Sequence, residues 1–481
     1  MAMQTQALAR PAPAPRWWTV SGSLVAFCAA VLLASFLKSD PARNDFERFD
    51  DLRLLFVFFA LFAGLCWVYI TVYLRRQPVS CGTLAATTAA AALLLLASFP
   101  VGSKDVLGYA FLGRMWGLYH ANPYVVAPTK FASDPWQQFL AATLRRPVSA
   151  YGPLFLWQCR LINAVGGQSF WLAVWLHKAV AVILLFGTLL VARALLGRTA
   201  SEDAAPASWL LLLLAWNPLF LFEAASGAHN DIAMVLLLLG ALWWWHNNRP
   251  YAALAILALS FWYKFYGIIF VPIFLIETLK ASGLRAAMRQ ALVCAAAAVV
   301  FGVILLAPLP GALPAIVAGV LHPEKMRGIF PNELSPALAA LFWGLRAGGM
   351  FATDLGFRIF DLTRFAVLAS AVVAILMRQW RAAPGFAALT ESCFLTGLVF
   401  FFLLITQLWP WHLLGVIAFG VICGREPFLL AAVVLTVLAV LSYFLTFAVA
   451  TLMLGAVVAA LWLLRRSHKA MRQPVAYRQE P

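Results

Sequence analysis

Charge is what this chain has least of. Only 11% of its 481 residues are charged, against 63% hydrophobic. A soluble globule coats itself with roughly 25% charged residues, so a water-exposed fold is excluded and bilayer must cover much of the surface. Acidic residues are scarcer still: 19 Asp and Glu face 35 Lys and Arg, a net charge of +16. An excess of that sign suggests nucleic acid, but there is no basic stripe with interleaved aromatics of the kind single strands need. Nucleic acid is therefore not an expected partner. The Lys and Arg residues fall instead in short loops on alternate sides of apolar runs, the pattern that orients membrane proteins. Cysteine is sparse and scattered (Cys28, Cys66, Cys81, Cys159, Cys294, Cys393, Cys423), with no CxxC pair. Most of these sit in apolar segments, where Cys behaves as a small hydrophobe. Neither a disulfide framework nor a zinc site is implied. Internal repeats are absent, and low complexity is confined to the Ala/Pro-rich N-terminus.

What the chain has in quantity is apolar runs approaching or exceeding the roughly 20 residues that cross hydrocarbon. They predict an all-α polytopic membrane protein, a single integral-membrane domain over 1–481 with about 12–14 transmembrane helices. Spans are expected near 18–37, 53–74, 83–99, 170–192, 208–224, 232–246, 251–263, 266–279, 291–309, 359–377, 389–409, 412–424, 427–442 and 446–464. Arg10 and Arg16 precede the first run as in a signal peptide, but no small-residue cleavage site follows, so a retained helix is expected.

Fourteen spans put both termini, 1–17 and 465–481, on one side. That side also receives Arg75/Arg76, Arg193/Arg198, Arg249, Lys280/Arg285/Arg289, Arg378/Arg381, Arg425 and Arg465/Arg466/Lys469, and is the cytoplasmic one. The opposite, periplasmic or exterior, side receives the acidic loop "KSDPARNDFERFDD", the "SGAHND" turn, and two long segments, 100–169 and 310–358. Within the first, Asp134 suits a helix N-cap, Pro135 its first position and Gln137 a capping box. Trp136, Phe139, Leu140, Thr143 and Leu144 then share one face, which predicts an amphipathic helix on the membrane surface. Ala-rich, Arg-biased usage is that of a high-GC bacterium, whose inner membrane is the expected location.

Polar residues crowd the outer edge. In "SKDVLGYAFLGRMWGLYHANPY", Ser103 can cap a helix beginning at Lys104. Asp105 then lies in the first turn, where the helix dipole favours a carboxylate. Asp105, Gly108, Tyr109, Leu112 and Trp116 share a face, and Gly108, Gly113 and Gly117 permit close approach of backbone or ligand. Read bare, Asp105 is either a capping residue or a carboxylate above an aromatic wall. Next, "FEAASGAHND" gathers Glu223, His229, Asn230 and Asp231 where two apolar spans meet. A cap accounts for one of these residues, not four.

Lys264 in "FWYKFYG" sits between two short apolar halves. If these form a hairpin it faces the outer interface, either snorkelling or as a cation for a lipid-linked phosphate. Lys178, within the fourth span, is a second buried cation, and Arg327 in "HPEKMRG", with Arg358 and Arg364, adds others. "YGPLFLW" at 151–157 and "QLWPWHLLG" at 407–415 place aromatic-Pro corners at membrane edges, as an aromatic belt or as walls of a sugar or lipid groove.

In order, "SKDVLGYAFLGRMWGLYHANPY", "SAYGPLFLW", "GAHNDIAM", "YKFYGIIFVP" and "WPWH" resemble the motifs of the GT-C superfamily of integral-membrane glycosyltransferases, and within it the polyprenyl-phosphate-mannose-dependent mannosyltransferases. Together they cover 103–412; His412 stands where the family usually has Tyr. The resemblance implies an inverting transfer of a sugar, mannose above others, from a polyprenyl phosphate to an acceptor hydroxyl of a glycan or glycolipid, beside membrane lipid on the outer face. It makes Asp105 the general base. Lys264 becomes the first cation for the donor phosphate, with Lys178 and Arg327 behind it. His229, Asn230 and Asp231 are implied to orient hydroxyls. Tyr109, Tyr151 and Trp411 would stack on sugar or prenyl chain, and Asn122, Tyr124 and His412 complete the substrate-binding set. Some members use a divalent metal, Mg or Mn, and others none; Asp105 and Asp231 share one only if the fold joins them. A transporter or lipid flippase, for which Lys178 is the best argument, and an O-antigen-ligase-like enzyme are the alternatives.

Overall fold

The computed structural model describes residues 17–37, 52–145, 148–197, 205–321, 354–404 and 408–444. Arg327, the acidic loop at 38–51, most of the 310–358 segment, the span expected at 446–464, and both termini lie outside the described residues. So do the side chains of Arg358 and Arg364.

Every regular element among the described residues is helical, and the chain is a polytopic membrane protein. Trp17–Ser35, Leu52–Arg75 and Phe170–Leu196 are each long and apolar enough to cross a bilayer, and Gly267–Leu306 meets the same measure as a stretch that turns at Gly283. A fifth, the pair Ala207–Ala215 and Pro218–Ser226, is bent by 47°. Six shorter apolar helices pack with them.

The bend has a local cause. Pro218 has no N–H to donate back into the preceding helix. Asn217 therefore restarts the helix: its Oδ1 accepts from Leu219 N and Phe220 N, while its Nδ2 donates to Thr436 Oγ1 at 2.8 Å. The restarted helix runs into a π turn over Phe222–Ser226.

The runs expected at 266–279 and 291–309 form two helices within Val271–Leu306, parted at Gly283 (φ 82°, ψ 175°). The chain reverses there. Arg289 Nε donates to Tyr251 Oη, Cys294 Sγ to Leu254 O, and Trp262 Nε1 to Ala298 O. The second half thus climbs alongside the Pro250–Tyr263 helix, in the same direction, and the first half descends.

Basic residues collect at one end of the bundle. Arg76 pairs with Glu426 at 2.6 Å, Arg378 and Arg425 both hold Glu391, and Lys280 meets Glu277 at 3.0 Å. Asp105, His229, Asp231, Lys264 and Trp411 stand at the other end.

The long segment after residue 100 differs from its expected form. Pro135–Phe139 is a 3-10 turn, Leu140 is extended, and a single helical turn follows at Ala142–Arg145. Asp134 caps as expected, accepting from Trp136 N at 2.7 Å. Gln137 does not close a capping box; its Nε2 turns to Pro128 O. Trp136 is buried against Phe170. Tertiary contacts thus pull the turn into the protein instead of leaving a continuous helix on the lipid surface.

Candidate active site

The Asp105–Gly117 helix is capped one residue later than expected, at Lys104, and Ser103 Oγ accepts from Asp105 N at 3.1 Å. This helix packs on Pro153–Gly166 and on Phe170–Leu196, so most of its length is buried. Asp105 stays 23% exposed at its first turn. It is the most accessible carboxylate of the cluster around it, and so the one placed to meet a ligand.

Tyr151 Oη donates to Asp105 Oδ2 at 3.3 Å. Burial, and then the Asp105 charge, push the Tyr151 hydroxyl well above its usual range, so it remains a donor. The Tyr-Gly-Pro element that supplies Tyr151 is fixed by backbone contact. Gly152 N donates to Tyr263 O at 3.2 Å, and a Cβ at Gly152 would lie 2.1 Å from Trp262 O. Only glycine admits that approach. Tyr109 stands edge-on to Tyr151 and Phe155 and is buried.

The second wall comes from the turn after the π segment. His229 Nε2 lies 3.8 Å from Asp105 Oδ2, and its Nδ1 lies 2.5 Å from Glu223 Oε2. The imidazole stacks on Trp411 at 3.8 Å, and Trp411 stacks on Trp409 at 5.1 Å. Burial lowers His229 to about 4, so the ring is neutral near neutral pH.

Beside it, Asp231 begins the next helix. Lys264 Nζ lies 2.5 Å from Asp231 Oδ2 and 3.2 Å from Asn230 Oδ1, and Tyr266 Oη donates to Asp231 Oδ1 at 3.2 Å. The expected hairpin places Lys264 there: the Pro250–Tyr263 helix ends, Lys264 is extended, and a 3-10 turn at Gly267–Phe270 leads into the next helix.

The fold therefore brings Asp105, Tyr109, Tyr151, His229, Asn230, Asp231, Lys264 and Trp411 to one place. Trp411 is only 6% exposed and is occupied by its two ring partners. It supports His229 and offers little face to a sugar; Trp409 is the more open ring of the stack.

Other expected residues are elsewhere. Asn122 braces its own loop, accepting from Tyr124 N and donating to Pro310 O, and Tyr124 Oη donates to Tyr151 O at 2.7 Å. His412 Nδ1 accepts from Trp409 N and its ring stacks on Phe401, so it shapes the Pro410 corner. Lys178 is fully buried. Its ammonium donates to Leu95 O and Ser98 O at the end of the Cys81–Ala97 helix and lies over Trp175, so a phosphate has no access to it. A cation suits those orphan helix-end carbonyls.

Glu223 and Tyr266 were visible in the sequence as neighbours of His229 and Lys264, without roles. The π turn that aims Glu223 has no signature in residue spacing. Among the described residues no group of three or more His, Cys, Asp or Glu is arranged to hold a metal ion. Both Asp231 oxygens are engaged by Lys264 and Tyr266, so the residues present do not fit the oxygen cage that Mg or Mn takes.

A family model described as "Alpha-(1->6)-mannopyranosyltransferase, N-terminal domain" matches residues 16–280. A probable alpha-(1->6)-mannopyranosyltransferase of Mycolicibacterium smegmatis is 30% identical over 179 residues, 37% of this chain and 31% of the relative. An alpha-(1->6)-mannopyranosyltransferase of Mycobacterium tuberculosis is 32% identical over 146 residues, 30% of this chain and 24% of the relative. The chain thus matches less than a third of the length of either relative.

Proposed function

The chain belongs to the alpha-(1->6)-mannopyranosyltransferase family, and from that premise we propose that it is a GT-C-type inverting mannosyltransferase. In this reading the donor is a polyprenyl-phosphate mannose, the acceptor is a glycan or glycolipid hydroxyl, and the site faces the periplasm or exterior of a bacterial inner membrane. The carrying observation is Asp105: a part-exposed carboxylate held by Tyr151, with the Lys264–Asp231 pair in the same wall.

Transfer by one displacement needs one base. Asp105 takes the acceptor proton as the hydroxyl oxygen bonds to the anomeric carbon, and the donor phosphate departs with the electrons of the broken C–O bond. Lys264, 15% exposed at its side chain, is the reachable cation for the departing charge. It would lean from Asp231 to the phosphate while Tyr266 keeps donating to Asp231. The basic residues at the opposite end support the sidedness. The burial of Lys178 against carbonyls removes the main argument for a transporter.

The test is incubation of membranes carrying the chain with radiolabelled polyprenyl-phosphate mannose and the membrane's own acceptors. Label should move into a glycan product. Transfer only from a different donor would discard the donor assignment, and movement of label across the membrane with no glycosyl product would discard the enzyme.

A further inference from the structure

Glu223 is the most deeply buried carboxylate of the cluster. It is fully buried, and neither of its oxygens has an aligned hydrogen-bond donor. Among the described residues its close polar neighbour is His229 Nδ1, 2.5 Å from Oε2 and off the straight line of a hydrogen bond. The backbone builds this contact. Within the π turn Gly227 N donates to Phe222 O, and His229 N donates to Glu223 O at 2.9 Å, which folds the imidazole back over the carboxyl. Position 227 must be glycine for the pair to fit, since a Cβ there would lie 2.6 Å from His229 Nδ1 and 3.1 Å from Glu223 Oε2.

A buried acid–imidazole pair is least costly when its net charge is zero. With the ring neutral, a carboxylic acid beside it meets that condition. In that arrangement Nδ1 faces the carboxylic acid, and the neutral ring carries its one proton on Nε2. That nitrogen faces Asp105 Oδ2 at 3.8 Å. The charged and titratable groups around the pair are Asp105, Asp231 and Lys264 on its open side. On the packed side the Phe170–Leu196 helix, which carries His177 and Lys178, lies against the π turn, with Lys178 turned to Leu95 O and Ser98 O. Trp411 covers the ring.

We infer that Glu223 is a positioning residue: it fixes His229 with a proton on Nε2, and that N–H orients the Asp105 carboxylate from the side opposite the acceptor. The inference rests on the reading of Asp105 as the base. Closing the present gap of 3.8 Å when substrate enters would give Asp105 two donors, Tyr151 Oη and His229 Nε2, and leave its remaining oxygen for the acceptor hydroxyl.

The experiment uses the full chain in lipid nanodiscs with labelled polyprenyl-phosphate mannose, and compares Glu223→Gln with Glu223→Leu. The Gln amide can still donate to Nδ1 and keep the proton on Nε2, whereas Leu cannot. Glu223→Leu should lower kcat at least tenfold with KM within twofold, and Glu223→Gln should retain most of kcat. Nitrogen-15 NMR of histidine-labelled protein, with the His229 signal assigned by its loss in His229→Gln, should report Nε2–H in the natural chain and in Glu223→Gln. The signal should shift in Glu223→Leu. Unchanged kcat and an unchanged His229 signal in Glu223→Leu would overturn the inference, as would equal loss in both variants. A natural chain that transfers nothing from this donor would fail the donor reading instead, and the His229 signal would still decide the pair.

Discussion

Replacing Lys264 by Met removes the cation from a pair that is almost wholly inside the protein. The side chains of Lys264 and Asp231 are 15% and 1% exposed, and their charged atoms are 2.5 Å apart. Opposite charges about 4 Å apart attract by about 4 kcal/mol at an effective dielectric near 20. Removing one partner of a buried pair also strands the other, which costs about 3–5 kcal/mol. Asp231 would keep one donor, Tyr266 Oη, so Lys264→Met should fall at the lower end of that range. Asp231→Asn should cost less, about 1–3 kcal/mol, because the Lys264 ammonium retains Asn230 Oδ1 and can reach the more exposed side of the site. The double variant has no stranded charge and should recover a large part of the loss. The assay is denaturant unfolding of the purified chain in detergent, read as a double-mutant cycle. A loss below about 1 kcal/mol in Lys264→Met, or purely additive single variants, would refute the view that these two charges stabilise one another, and with it the picture of Lys264 as a cation held ready by Asp231.

Two further outcomes follow from contacts outside the pair. Gly152→Ala places a Cβ 2.1 Å from Trp262 O and 2.6 Å from Tyr263 O, both backbone atoms; the strain should cost at least about 1–3 kcal/mol in unfolding stability, and Tyr151 should be displaced from Asp105, so a variant of natural stability and activity would contradict the described approach. Burial raises the Asp134 carboxyl, but donors from Tyr119, Arg114 and Trp136 N outweigh it and hold the group below its ordinary value of 3.8. Its contribution to stability is therefore complete above that ordinary value and is lost as pH falls through the lower folded one; melting temperatures measured down through this acid window should fall in the natural chain, and Asp134→Asn should flatten that part of the fall.

The sequence was most legible where a local rule decides the structure. Polar residues interrupting apolar runs marked the end of the bundle that carries the candidate site. Asp105 sits in a first helical turn, Lys264 at a hairpin and Pro410 at a corner, because capping, periodicity and proline act over a few neighbouring residues. What stayed hidden depends on distant partners. The Asp134–Arg145 stretch is patterned as one amphipathic helix, yet Arg114 holds Asp134 at 2.6 Å and lies over Trp136, and the buried segment bends to meet them. Lys178 looked like a binding cation until the end of another helix was seen to supply its carbonyls. Trp411 looked like a sugar platform, but His229 and Trp409 take its place in the stack. Glu223 gained a role only because a π turn, set by a bend at Pro218 and by packing on two helices, swings it beneath His229.

The central claim is that Asp105 is the base of a mannosyl transfer, and the substitution Asp105→Asn tests it most directly. Asn keeps the size of the side chain and can still accept from Tyr151, so the helix end and the insertion of the chain should be unchanged. The general base is lost, and a positioned base contributes about 100- to 10,000-fold in rate. Initial rates of label transfer from polyprenyl-phosphate mannose, measured on equal amounts of natural and Asp105→Asn protein with matching melting temperatures, should differ by at least that lower factor. Equal rates in the two proteins would contradict the account.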